Sequence, residues 1–243
     1  SPLTTGTTNG KTIWTRSLPP VFQGNPDSHP DQNTMPVWFF DLCTLESDPQ
    51  TLQIANNTYN TYFANGIDST IGVYVLSKLP SAGALLGRTD AIRYLVPNQL
   101  HRRPNEEVLA NRMDLSEGYQ TTNIQRLGRA AEALQLALCQ SVPAGPGQEN
   151  IIRVFPAWPK EWDARYALLC RGGFLVSSLM RNGEIPYIEL ESQQGGTCRI
   201  RNPWGPSAVT LYRNGKKAKV LKGSLLIFDT RKGEKLMVKR GQD

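Results

Sequence analysis

The sequence of 243 residues predicts an α + β multidomain fold, with helical hairpins followed by an antiparallel β-sandwich. Three observations predict it. Apolar residues repeat with a helical period up to residue 141, and the period changes to two after VPAGPGQEN at 142–150. Short alternating runs then recur at close spacing to the end of the chain, the pattern of a β-sandwich. Asn182-Gly183 and Asn214-Gly215 sit between such runs, and a two-residue type I′ hairpin turn needs positive φ at both central residues. The expected organisation is an extended arm or loop over 1–30, helices over 31–141, and a β-sandwich over 151–243.

The arm is expected from Pro2, Pro19, Pro20, Pro26 and Pro30 with interspersed Gly, Asn and Ser, a composition that punctuates regular structure. From Asn33 to Glu46 the positions Val37, Trp38, Phe39, Leu42, Cys43 and Leu45 trace a broad helical stripe. A second helix starts at Asp48, a good N-cap, with Pro49 at the first helical position. Its apolar face runs Leu52, Ala55, Tyr59, Tyr62 and Phe63, and Asn65-Gly66 marks its stop, so that the two segments form a helical hairpin. The β-branched run and small-residue stretch of 69–86 fit strand or helix, and helix is favoured by its neighbours. Thr89–Leu100 reads as a short helix disturbed near Pro97, His101–Gly118 as a polar connection, and Gln120–Ser141 as a helix burying Leu127, Ala131, Leu134 and Leu138. The strands expected beyond it are IIRVF, YALLC, FLVSSLM, IPYIELES, TCRIRN, AVTLYR, SLLIF and KLMVKR.

Composition narrows the function. No apolar run reaches the roughly 18–20 residues of a membrane span, and the first residues lack the apolar core of a secretory signal. From Arg199 onward 12 Lys or Arg stand against 3 Asp or Glu, while the preceding residues are slightly acidic. Such a basic segment attracts anions, but the lysines fall mostly at turns and strand ends, and no nucleic-acid-binding motif accompanies them. Cys43, Cys139, Cys170 and Cys198 lie in apolar patterns without CxxC spacing and are expected as buried free thiols. His29 and His101 are the only histidines and show no paired-ligand spacing, so neither a metal nor a cofactor is expected.

The stretch from Glu149, ENIIRVFPAWPKEW, continues with Arg171-Gly172-Gly173-Phe174, the Asn182-Gly183 hairpin and SQQGGTCRIRNPWG from Ser192. These motifs resemble the C-terminal β-domain of family 95 glycoside hydrolases, with good specificity over 142–212 and more weakly back to about residue 31. The resemblance implies that the helices are the end of an (α/α)6 barrel, and that the remaining barrel lies on a missing N-terminal segment or a separate chain. It also implies a carbohydrate substrate, fucosidase-like hydrolysis of poly- or oligosaccharides, and an extracellular or periplasmic location. Nucleic acid and membrane are not expected partners. The alternative is a non-catalytic carbohydrate-binding or structural module.

Glycoside hydrolysis ordinarily needs two side chains flanking the scissile bond. In family 95 α-L-fucosidases one comes from an acidic residue just before the last barrel helix, and a gapless alignment on Gln140-Ser141 puts Gln125, which cannot act as a base, at that position. The nearest carboxylates are Asp114 and Glu117, and Glu117 is the preferred catalytic or sugar-contacting group. Either could instead stabilise the start of the following helix through its dipole. Trp38, with Asn33 and Asp41 spaced around it, is the preferred barrel-facing aromatic for stacking on a sugar, with core burial as the alternative. His101 and Arg102 could bind an acidic sugar, or serve as favourable charges at a helix C-terminus.

Overall fold

The computed structural model describes residues 3–15, 30–63, 65–71, 73, 77–100 and 124–241. The chain divides into two compact units, Ser1–Ala137 and Leu138–Asp243.

The first unit opens with a hairpin of β1 (Thr5–Thr8) and β2 (Lys11–Trp14), where the sequence suggested only an arm. Asn9 and Gly10 have φ of 49° and 72°, so this turn carries the same Asn-Gly signal as the two later ones. Helices α1 (Pro30–Asn33) and α2 (Met35–Trp38) are single turns. The helix expected to run to Glu46 therefore stops at Trp38, and no helical hairpin forms from it. Leu42 and Cys43 donate their amides back to the Pro36 carbonyl at 2.8 and 3.1 Å, and Asp41 takes a left-handed φ of 51°, which reverses the chain.

Helix α3 (Pro49–Asn60) starts where expected but ends five residues before the expected Asn65-Gly66 stop, so that Tyr62 and Phe63 of the expected face lie beyond it. Asp48 caps it by accepting from the Thr51 amide at 2.9 Å, and Pro49 occupies the first turn, where its missing N–H costs nothing. Ala55, Tyr59 and Phe63 are buried, and the Thr61, Tyr62 and Phe63 amides donate back to carbonyls of the last helical residues. The hairpin packs on this helix: the Trp14 amide donates to Thr58 Oγ1 at 2.8 Å, and Asn57 Nδ2 donates to the Thr12 carbonyl at 3.0 Å.

Of the ambiguous stretch, Leu79–Leu85 is helical (α4). Gly83 allows its close approach to a neighbour, because a Cβ there would lie 2.4 Å from the Ala91 Cβ and 2.6 Å from the Tyr59 hydroxyl. A π-helical turn at Ala91–Leu95 leads into α5 (Val96–Leu100), the widening falling just before Pro97, which cannot donate a helical hydrogen bond. Helix α6 (Ile124–Leu138) ends three residues earlier than expected. It buries Ala130, Ala133 and Ala137, while Leu127 and Ala131 of the expected face are exposed. The alanines form their own i, i+3, i+7 stripe.

The second unit begins as α6 passes directly into β3 (Cys139–Pro143), of which Cys139–Ser141 were expected to be helical. It continues with β4 (Asn150–Val154), β5 (Ala164–Cys170), β6 (Phe174–Met180), β7 (Ile188–Ser192), β8 (Gly196–Arg201), β9 (Val209–Arg213), β10 (Lys216–Leu221), β11 (Leu225–Thr230) and β12 (Glu234–Arg240). One sheet has the order β10-β9-β12-β7-β6-β5 and the other β11-β8-β4-β3. The pairing is antiparallel except between β4 and β8, which are parallel at Ile152 and Ile200, a departure from a wholly antiparallel sandwich. Within 142–150, Val142 and Pro143 end β3, 144–149 form the β3–β4 connection and Asn150 starts β4.

Alternate residues of both sheets build one core, in which Val176, Ile188, Ile200, Val209, Leu211 and Val238 are fully buried. The Asn182-Gly183 and Asn214-Gly215 turns have positive φ throughout, as expected. The strand β10 went unread because nearly all of its residues are exposed. Its lysines and a bulge between Lys217 and Lys219 suit an edge strand, since charge and twist discourage pairing with another chain.

Candidate functional site

Of the expected site residues, Glu117, Asp114, His101 and Arg102 lie outside the described residues, and for Gln125 only the backbone position in α6 is described. Trp38, Asn33 and Asp41 are in the first unit. Asn33 is buried at the end of α1, whereas Trp38 is half-buried at the end of α2 and Asp41 forms the turn three residues on.

Trp38 has company that the sequence reading missed. The Lys78 ammonium lies 5.4 Å from its ring centroid, and the Phe39 ring meets it edge-on at 5.4 Å, with Phe40 edge-on to Phe39 at 4.8 Å. Phe39 and Phe40 are 61% and 54% exposed, which makes a stepped aromatic surface rather than a core cluster. Lys78 also pairs with the Glu132 carboxylate of α6, which accepts a second hydrogen bond from Ser81 Oγ at 3.1 Å. An aromatic face beside a carboxylate fixed by two partners can stack on an apolar sugar face and accept from its hydroxyls. Glu132 had one sequence signal, as the sole acidic residue in Gln120–Ser141.

The second unit carries a separate feature. A groove of about 530 Å³ crosses the outer face of the six-stranded sheet. Strand registry builds it: Leu175 stands opposite Glu191 and Glu191 opposite Lys235, while in the next row Ser177, Glu189, Met237 and Tyr212 follow one another across four strands. Leu175, Met237 and the Tyr212 ring supply apolar floor, and the carboxylates and Lys235 supply acceptors and donors. Lys239 lies 5.9 Å from the Tyr212 ring centroid at the rim. The volume is that of a small-molecule site, and the mixture of ring, carboxylate and ammonium suits a polyhydroxylated ligand.

The motifs that stood out in the sequence are structural. Asn202 is buried; its Nδ2 donates to the Ser207 and Gly223 carbonyls at 3.0 Å each, and its Oδ1 accepts from the Trp204 amide at 3.1 Å. Trp204 Nε1 donates to the Ile185 carbonyl and Trp158 Nε1 to that of Trp162, so these rings pack against the sandwich's own core. The buried Ser192 hydroxyl shares a 2.8 Å hydrogen bond with Thr230, which donates to the Gly196 carbonyl at 2.8 Å.

Among the described residues no group of three or more His, Cys, Asp or Glu side chains is placed to hold a metal, and no helix is long and apolar enough to cross a membrane. Two sheets closed over a single core, with tryptophans and an asparagine locking the loops, define the second unit as a β-sandwich domain. Residues 147–238 match the family described as Glycoside hydrolase family 95, C-terminal domain, and this C-terminal portion of the chain is similar to that domain. No curated protein matches the chain.

Proposed function

We propose that the chain is the C-terminal portion of a glycoside hydrolase acting on glycosidic bonds of poly- or oligosaccharides, fucosidase-like in its chemistry. The match of 147–238 to the family 95 C-terminal domain carries this reading, because it spans nearly the whole sandwich from the β3–β4 connection into β12. On this reading the helices of the first unit are the end of an (α/α)6 barrel, and a barrel-bearing segment or chain supplies the second catalytic group. Glu117, or Asp114 beside it, provides the carboxylate that activates water or protonates the leaving oxygen. Trp38 stacks on the sugar, with Asn33, Asp41 and Gln125 contacting it and His101 and Arg102 favouring an acidic substituent. The compartment is extracellular or periplasmic.

The native mass of the purified material is the first test. An assembly with a barrel-bearing polypeptide that hydrolyses glycosides supports the reading, and in it Glu117→Gln is expected to abolish turnover while leaving the thermal midpoint unchanged. Unaffected turnover removes Glu117 from the mechanism.

The groove on the six-stranded sheet favours a second reading, that of a non-catalytic carbohydrate-binding module. It predicts that the chain is retarded in polyacrylamide gels containing a soluble polysaccharide and that Tyr212→Ala relieves most of the retardation. Equal mobility of the two proteins across a polysaccharide panel removes the groove from consideration.

A further inference from the structure

Three of the four cysteines line the core of the second unit, and two of them meet. Cys139 opens β3, the edge of the four-stranded sheet, and Cys170 closes β5, the edge of the six-stranded sheet. Their sulfurs are 3.5 Å apart, and both side chains are buried. The strand ends are already tied beside them, because the Arg171 amide donates to Ser141 Oγ at 2.8 Å. A disulfide needs a sulfur separation of about 2.05 Å, so closure asks for a movement of about 1.5 Å, the scale of a small side-chain rotation. The four-stranded and six-stranded sheets have no hydrogen-bonded strand pair in common, so at this corner no strand ladder joins them.

We propose that Cys139 and Cys170 form a disulfide that staples the two sheets at their edges, made by exchange with a small-molecule disulfide of the glutathione class. The environment distinguishes the two sulfurs. The contact with Cys139 and a hydrogen bond from Ser141 hold the Cys170 thiol below its usual range against the opposing effect of burial. The same contact, together with burial, pushes Cys139 up. Burial also raises Cys43, to about 11, and Cys198. Cys170 is therefore the sulfur that ionises first and attacks, because the thiolate is the nucleophile. When the strand ends open locally, its thiolate displaces one small thiol from the reagent and is left as a mixed disulfide. Cys139 then loses its proton to solvent and attacks the Cys170 sulfur, expelling the second small thiol. Two protein thiols are oxidised, and one small disulfide is reduced to two thiols.

The test uses the whole chain, reduced and then equilibrated with excess oxidised glutathione. The count of titratable thiols in denaturant is expected to fall from four to two, and a digest under non-reducing conditions is expected to link the peptide of Cys139 to that of Cys170. Oxidation should raise the thermal midpoint in the wild type and in Cys43→Ser alike, but not in Cys170→Ser. Four thiols persisting after that equilibration overturn the proposal, as does a linked peptide that contains Cys43 or Cys198. The peptide map needs only the wild-type chain, so a variant that fails to fold leaves the outcome decidable.

Discussion

At Asn202 a single amide holds together the turn after β8 and the loops on either side of β9–β10. Its side chain satisfies two carbonyls and one amide in a buried place, so Asn202→Ala leaves three backbone groups without protein partners. The expected loss is about 2–4 kcal/mol of stability, read as a lower denaturant midpoint, since stranding buried polar groups costs more than a hydrogen bond contributes. A midpoint unchanged from wild type would mean that water replaces the amide. Glu234 gives a pH-dependent counterpart. Arg213 Nη1 reaches both of its oxygens at 2.8 Å, and the Arg231 amide donates at 3.0 Å. Desolvation opposes its charge, but these hydrogen bonds and the Arg213 and Arg231 charges outweigh it and hold the carboxyl below its ordinary value. A carboxylate lowered on folding stabilises above its unfolded pKa of about 4.3 and loses that contribution as pH falls through the folded value. Glu234→Gln is therefore expected to lower stability at neutral pH and to flatten its decline in acid. Parallel pH profiles for variant and wild type would contradict this.

Between elements, small residues decide the close approaches. In an exposed helix, Gly→Ala is ordinarily favourable by about 1 kcal/mol. At Gly83 the sign reverses, because the new methyl would overlap the Ala91 Cβ and the Tyr59 hydroxyl, which itself donates to the Leu79 carbonyl at 2.9 Å. Gly83→Ala is expected to destabilise the first unit by about 1–3 kcal/mol, measurable by thermal unfolding, and a stabilised variant would show that α4 can move away from the π-helical turn. In α6 the buried stripe is not the most hydrophobic one. Leu127, Ala131, Leu134 and Leu138 form the more hydrophobic stripe of α6, and hydrophobicity alone selects it, yet the buried stripe is Ala130, Ala133 and Ala137. Asp48 and Pro49 were legible because a cap needs only its own first turn. Asn9-Gly10 carried as clear a turn signal as Asn182-Gly183, but its strands are mostly polar and no alternation drew attention to them.

For the molecule as a whole, the sandwich is complete only with β3. A fragment beginning at Leu138 is expected to unfold cooperatively. One beginning at residue 147 lacks the partner of β4 and bares a strand whose Ile151, Ile152 and Val154 are buried, so aggregation is expected in size-exclusion chromatography. Equal behaviour of the two fragments would show β3 to be dispensable. As for the candidate site, Trp38 was singled out for its type and position, but Lys78 over its ring and Glu132, which pairs with Lys78, lie 40 and 94 positions further along the chain, beyond any spacing rule. By itself the sequence determined the order of a helical part before a β part, the alternation that builds the sandwich core, the cap of α3 and the Asn-Gly turns. Each of these is set by interactions within a few residues or by which side chains avoid water. Only the tertiary structure decided which stripe of α6 is buried, that Cys139–Pro143 leaves the helix to pair with β4, that Cys139 meets Cys170, and that Lys78 lies over Trp38. Those outcomes depend on how closely backbones distant in sequence can approach, and local propensity carries no record of that.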